Sequence, residues 1–138
     1  MIETLTVGKL KWHHITDPTE EDFVELRDKF QFHPLDIEDC KSVNQRPKID
    51  IYDDYYFLIL QYPDFDRQDK FIFPKEVKLF WGKDYIITLE RKRWHVSQLF
   101  NEYSERDDNS LAKAICTSRE EFSVSLHISA VRAFVRCN

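Results

Sequence analysis

Apolar residues alternate with polar ones around Gly8, at Leu5 and Val7 and again at Leu10 and Trp12, as in a short hairpin of half-buried strands. Asp17-Pro18 stops that pattern, and Thr19 with Asp22 caps a predicted helix whose stripe is Phe23, Leu26 and Phe30. Pro34 suits the first turn of a second helix, where its missing N–H would have no partner anyway. Ile49 and Ile51 alternate with Asp50 and Tyr52, predicting a strand with one wet face, and Asp53-Asp54 marks a turn. Positions 55–62 are almost wholly apolar and predict a central strand, followed by a polar loop over 63–70. Positions 76–81 and 85–89, joined by Gly82-Lys83-Asp84, predict a hairpin of strands. Val96, Leu99, Phe100 and Tyr103 recur at helical spacing. After the loop Asp107-Asp108-Asn109-Ser110, a short helix is expected over 111–116. Beyond it the signals conflict. Ser118 and Glu121 make a capping box, yet Phe122, Val124, Leu126, Ile128 and Ala130 alternate strictly with polar residues. The element order argues an α+β fold, a mainly antiparallel β-sheet flanked by α-helices.

At 138 residues the chain suits one compact domain with a sizeable core. Eleven Phe, six Tyr and three Trp against only two Gly exclude disordered and collagen-like classes. A net charge of −5 with no long basic run argues against a nucleic-acid partner. Cys40, Cys116 and Cys137 are odd in number and widely spaced, and read as reduced thiols rather than a disulfide frame or zinc site. The first residues lack a basic segment and apolar core, so no signal peptide is expected. The longest apolar run, 57–60, is far short of the ~20 residues that span a bilayer, which predicts no direct membrane insertion by this chain.

Candidate chemistry concentrates on the second helix. Asp36 and Asp39 lie three apart and share a face, with Glu38 to one side. Their mutual repulsion is a cost that a divalent cation relieves, and hard oxygen ligands suit magnesium. The plainer reading is that these acids complement the positive helix start. In Arg46-Pro47-Lys48, Pro47 holds its predecessor extended, and Arg46 can pair with Asp50, Asp53 or Asp54; this segment reads as structural. His13 and His14 are adjacent on a strand and point to opposite faces, so they do not grip one ion. Tyr55, Tyr56 and Phe57 read as core. No nucleophile elbow or phosphate-cradling glycine loop is present, and acids beside Cys40 raise its pKa, so the chain is read as no enzyme.

The text HPLDIEDCKSVNQRPKIDIYDDYYFLILQYPDF (33–65), resumed as EVKLFWGKDYIITLER (76–91), closely resembles the cytoplasmic domain of the CorA-type magnesium/cobalt transporter family. The resemblance implies an α/β/α sandwich over 1–116, a cytoplasmic regulatory domain, with an atypical tail over 117–138. It implies that Glu38 and Asp39 bind regulatory Mg2+ at a subunit interface with an acid of the neighbouring subunit's stalk, five such sites closing a homo-pentameric pore. Asp36 and the His13-His14 pair depart from the family pattern. The stalk, the transmembrane segments and the Gly-Met-Asn pore motif are not in this text, so Mg2+ binding by the isolated chain is expected to be weak and pentamers are not expected of it. The implied location is the cytoplasmic face of the cell membrane for a full-length protein, and soluble cytoplasm for this chain alone. Two alternatives stay open: a zinc-transporting relative, and a free-standing soluble protein-interaction domain.

Overall fold

A computed structural model describes residues 1–7, 9–92 and 95–105. Six strands form one sheet: β1 (Ile2–Val7), β2 (Leu10–Thr16), β3 (Lys48–Ile51), β4 (Tyr55–Asp66), β5 (Phe71–Gly82) and β6 (Tyr85–Glu90). Their order across the sheet is β1-β2-β6-β5-β4-β3. Every pairing is antiparallel except β2 with β6, which run parallel with Lys11 opposite Tyr85 and Thr16 opposite Glu90. Helices α1 (Glu20–Phe30) and α2 (Pro34–Lys41) cover one face, and α3 (His95–Glu105) packs on the other. The expected α+β sandwich is therefore present. The expected elements beyond residue 105 lie outside the described residues, as does the tail over 117–138. No helix among the described residues is long and apolar enough to cross a membrane.

Local chemistry sets the helix ends. Thr19 Oγ1 accepts from the Asp22 amide at 3.3 Å while Asp22 Oδ2 accepts from the Thr19 amide at 2.9 Å, the reciprocal box that satisfies two end donors. The α1 chain then reverses through Gln31, left-handed at φ 56°, whose amide reaches the Arg27 carbonyl. Pro34 opens α2, and His33 Nδ1 accepts from the Leu35 amide at 3.2 Å. At the other end of α2, Lys78 Nζ donates to the carbonyls of Cys40 and Ser42, and Arg91 donates to that of Lys41. A cation on β5 and one just past β6 thus satisfy the negative end of this helix.

The core between sheet and α1–α2 is aromatic. Phe57 and Phe80 are fully buried in mid-sheet, and Phe32 stacks on Phe80 with centroids 3.9 Å apart. Phe23, Leu26 and Ile37 close it from the helices. On the opposite face Trp12 meets Phe100 of α3 edge-on at 5.1 Å.

Three expectations need correction. The region 63–70 is not a loop: β4 runs on through Asp66 and β5 begins at Phe71, so the chain turns only at 67–70. Since β3 pairs only with 56–59 and β6 only with 77–81, the far halves of β4 and β5 form a two-stranded arm among the described residues. In such a ribbon alternate N–H groups face solvent, so Pro63 and Pro74, directly opposite each other, are tolerated there. The alternation in β3 has the reverse polarity to a buried isoleucine face: Ile49 and Ile51 are 54% and 73% exposed, while Lys48 and Asp50 turn toward α2. Finally, Tyr55 and Phe57 are core but Tyr56, on the other face, is 44% exposed.

Candidate metal centre

The first turns of α2 and the short edge strand β3 bring three carboxylates together. Asp36, Asp39 and Asp50 each offer an oxygen within 4.8 Å of the others. The i, i+3 spacing on α2 puts Asp36 and Asp39 on one face, and the outward turn of Ile49 and Ile51 aims Asp50 at that same face.

Asp36 is the buried member, 1% exposed. Its Oδ2 accepts from Tyr55 Oη at 2.8 Å and its Oδ1 from Tyr52 Oη at 3.1 Å. Tyr55 Oη in turn accepts from the His33 amide at 2.8 Å, so one tyrosine ties the start of α2 to its own acid. Burial raises the Asp36 pKa, opposed by the two phenols; Asp50 raises it further and Lys48 lowers it.

Lys48 stands between the outer pair, 2.5 Å from Asp39 Oδ2 and 2.6 Å from Asp50 Oδ2. These two bonds hold its ammonium well above the usual lysine range. The same ammonium lies 5.4 Å from the Phe57 ring centroid. One charge therefore serves two partly exposed carboxylates and faces a third. The trio is acidic, hard and under-neutralised, the donor set that suits Mg2+ or a similar oxygen-seeking cation. Oxygens on opposite sides of octahedral Mg2+ sit about 4.2 Å apart, so an ion held by all three would draw them inward or bind through its own waters.

Of the two acids expected as ligands, Asp39 belongs to this group and Glu38 does not. Glu38 is exposed, and its backbone carbonyl accepts from the Ser42 amide at 3.1 Å. Asp50 and Lys48 are the participants that sequence reasoning missed. Their signal was the i, i+2 spacing on a strand beginning right after Pro47. Arg46 makes no ion pair among the described residues; Lys48 takes Asp50 instead.

The histidines separate as expected. His13 faces α1, where its ring meets Phe30 edge-on at 5.7 Å. His14 faces α3 inside a buried chain of donors. Trp12 Nε1 donates to Thr88 Oγ1 at 3.0 Å, and Thr88 bonds His14 Nδ1 at 2.8 Å. His14 Nε2 lies 2.9 Å from Ser97 Oγ, whose hydroxyl donates to Glu90 Oε2 at 2.9 Å. Because Ser97 spends its hydrogen on Glu90, the His14 proton belongs on Nε2 in this network. Glu90 also accepts the Ser97 amide at 3.1 Å, capping the start of α3. This network is an anchor for α3. Cys40 is equally structural: it is 2% exposed, and burial pushes its thiol up, out of nucleophile range.

A profile described as the CorA-like Mg2+ transporter protein matches residues 7–126. The chain is 28% identical to the cobalt/magnesium transport protein CorA of Thermotoga maritima over 96 residues, 69% of this chain and 26% of that protein. It is 36% identical over 89 residues to the candidate metal ion transporter YfjQ of Bacillus subtilis, 63% of this chain and 27% of that one. The chain thus spans about a quarter of the length of the curated relatives it matches. The fold matches the soluble domain of CorA from Methanocaldococcus jannaschii with a TM-score of 0.61 at 18% identity, covering 74% of this chain and 40% of that one. The complete CorA magnesium transporter of the same organism matches with a TM-score of 0.55 at 17% identity, covering 70% of this chain and 30% of that one. At these identities the structural likeness shows the fold.

Proposed function

The chain belongs to the CorA-like Mg2+ transporter protein family, and from that premise we propose that it is the Mg2+-sensing domain of a divalent-cation transporter that passes Mg2+ or Co2+. The observation that carries this reading is the under-neutralised acidic face of α2, with Asp39 held by Lys48 and Glu38 exposed beside it. In this reading Lys48 is the resting counter-cation. A divalent ion reaching Asp39 and Glu38 displaces Lys48 from Asp39, leaving that lysine to Asp50. A further acid from a neighbouring subunit completes the ion's ligands, so the ion stabilises only the assembled, closed arrangement. When Mg2+ falls, unscreened carboxylates repel and the population moves toward the open pore. The pentamer, the cytoplasmic location and the absence of enzymatic activity belong to the same reading.

The test is Mg2+ titration of the chain, following thermal stability and size together, against the Glu38→Ala/Asp39→Ala double variant and Lys48→Gln. Wild type at tenfold the dissociation constant should gain about 1.4 kcal/mol. The double variant should lose that gain, and Lys48→Gln should reach it at lower Mg2+, because Asp39 and Asp50 have lost their internal cation. Equal gains in wild type and double variant would sink the assignment of these ligands.

A further inference from the structure

Three lysines that no motif connects converge on one cavity, far across the strand order from the acids of α2. It has a volume of about 240 Å3 and is lined by Lys9, Lys11, His13, Lys29, Phe30, Asp84 and Tyr85. Lys11 and His13 are two apart on β2 and share its face, and Tyr85 is the cross-strand partner of Lys11. The last turn of α1 supplies Lys29 and Phe30. The walls are the Phe30 and Tyr85 rings, 4.8 Å apart. Gly82 admits Tyr85 to this position, since a Cβ there would stand 2.3 Å from the tyrosine ring.

The charge here is unbalanced. None of the three lysines pairs with a carboxylate among the described residues. Opposing them are Asp84, which also lines the cavity, Glu25 near His13, and the carbonyl end of α1. His13 is 6% exposed, with Nδ1 engaged by Thr4 Oγ1 at 2.8 Å. Burial, then Lys29 and Lys11, push its pKa down, against Glu25. Burial is the main cause of that shift, and the two lysines add a positive contribution inside a chain of net charge −5. An anion in the cavity relieves the repulsion among the lysines.

We propose that this cavity binds a small phosphate-bearing anion, a phosphomonoester or pyrophosphate group held by Lys9, Lys11 and Lys29 against the Phe30 and Tyr85 rings. Lysine ammoniums act as point charges on phosphate oxygens, and several around one group suit its multiple charges. The volume is below the usual range for a drug-sized ligand and matches a phosphate with a small attached group. The site holds whether or not α2 senses Mg2+.

The experiment is a pyrophosphate titration of the full chain in Mg2+-free buffer at constant ionic strength, with inorganic phosphate and sulfate in parallel. It is read by NMR at the His13 imidazole, assigned from the peak missing in His13→Asn. Pyrophosphate should saturate, and the His13 titration should move up by on the order of one pH unit, as a close negative charge requires. Lys11→Gln/Lys29→Gln, both exposed positions, should weaken binding at least tenfold while melting like wild type. Lys75→Gln, on the β4–β5 arm, should leave it unchanged. A response to sulfate equal to that to pyrophosphate, an equal loss in Lys75→Gln, or an unshifted His13 would each overturn the proposal.

Discussion

Asp36→Ala should destabilise the fold by about 3 kcal/mol, although it removes a carboxylate whose burial is itself a cost. The alanine deletes the acceptor of both Tyr55 Oη and Tyr52 Oη. Tyr55 is 7% exposed, so its hydroxyl is left with no replacement from water. Each buried donor stranded this way costs about 1–3 kcal/mol. Asp36→Asn keeps an acceptor and should cost about 1 kcal/mol or less near neutral pH, because it also removes the charge. The pH dependence has a definite sign. The folded-state pKa of Asp36 is raised above the ordinary 3.8, so in the window between the two values the folded chain holds the proton more firmly. Its contribution to stability is full below the unfolded value and is lost as pH rises through the folded one. Urea midpoints of wild type and Asp36→Asn should therefore diverge with rising acid-range pH, wild type losing ground. A pH-independent difference would mean that Asp36 titrates normally.

Phe80→Ala should cost about 4 kcal/mol, a large fraction of a small domain's stability. Phe80 is fully buried against three rings, Phe32 at 3.9 Å, Phe57 at 4.7 Å and Tyr55 at 5.9 Å, with Phe30 stacked on Phe32. A cavity there strips contacts from both helix and sheet sides at once, and the rigid β4–β5–β6 backbone resists collapse into it. Phe65→Ala, at a residue 55% exposed on the arm, should change stability by no more than about 0.5 kcal/mol. The comparison is made by the denaturant midpoint at unchanged m-value. A loss at Phe80 no larger than at Phe65 would mean that the aromatic cluster is not the centre of the core.

Much of this architecture was legible because its signals are local. Thr19 with Asp22 and Pro34 announce helix starts through groups only a few residues apart, and the shared face of Asp36 and Asp39 follows from helical spacing alone. The motif around α2 carried the family. What escaped depended on long-range placement. Alternation in β3 reveals a period of two but not which face is wet, and here the charged face is inward because α2 presents aspartates to it. Asp50 joins the acidic group only through the strand's position at the sheet edge. Lys9, Lys11 and Lys29 form no run, and only the return of α1 over the start of β2 assembles their cavity. Prolines and charges over 63–70 imitated a loop, since a ribbon that pairs with no third strand among the described residues tolerates both.

Those same prolines bear on how the molecule behaves in company. Among the described residues no strand pairs with either edge of the arm formed by β4 and β5, which also exposes three large apolar side chains, Phe65, Phe71 and Ile72. Such an edge is a template on which another chain can nucleate a strand. With Pro63 facing Pro74, each edge is missing one outward donor, and the Asp64–Lys75 bridge, 3.0 Å across the ribbon, places charge beside the gap. An incoming strand would meet an interrupted ladder and a pair of ions to desolvate. Both features work against edge-to-edge pairing of an arm that is extended and apolar at its tip.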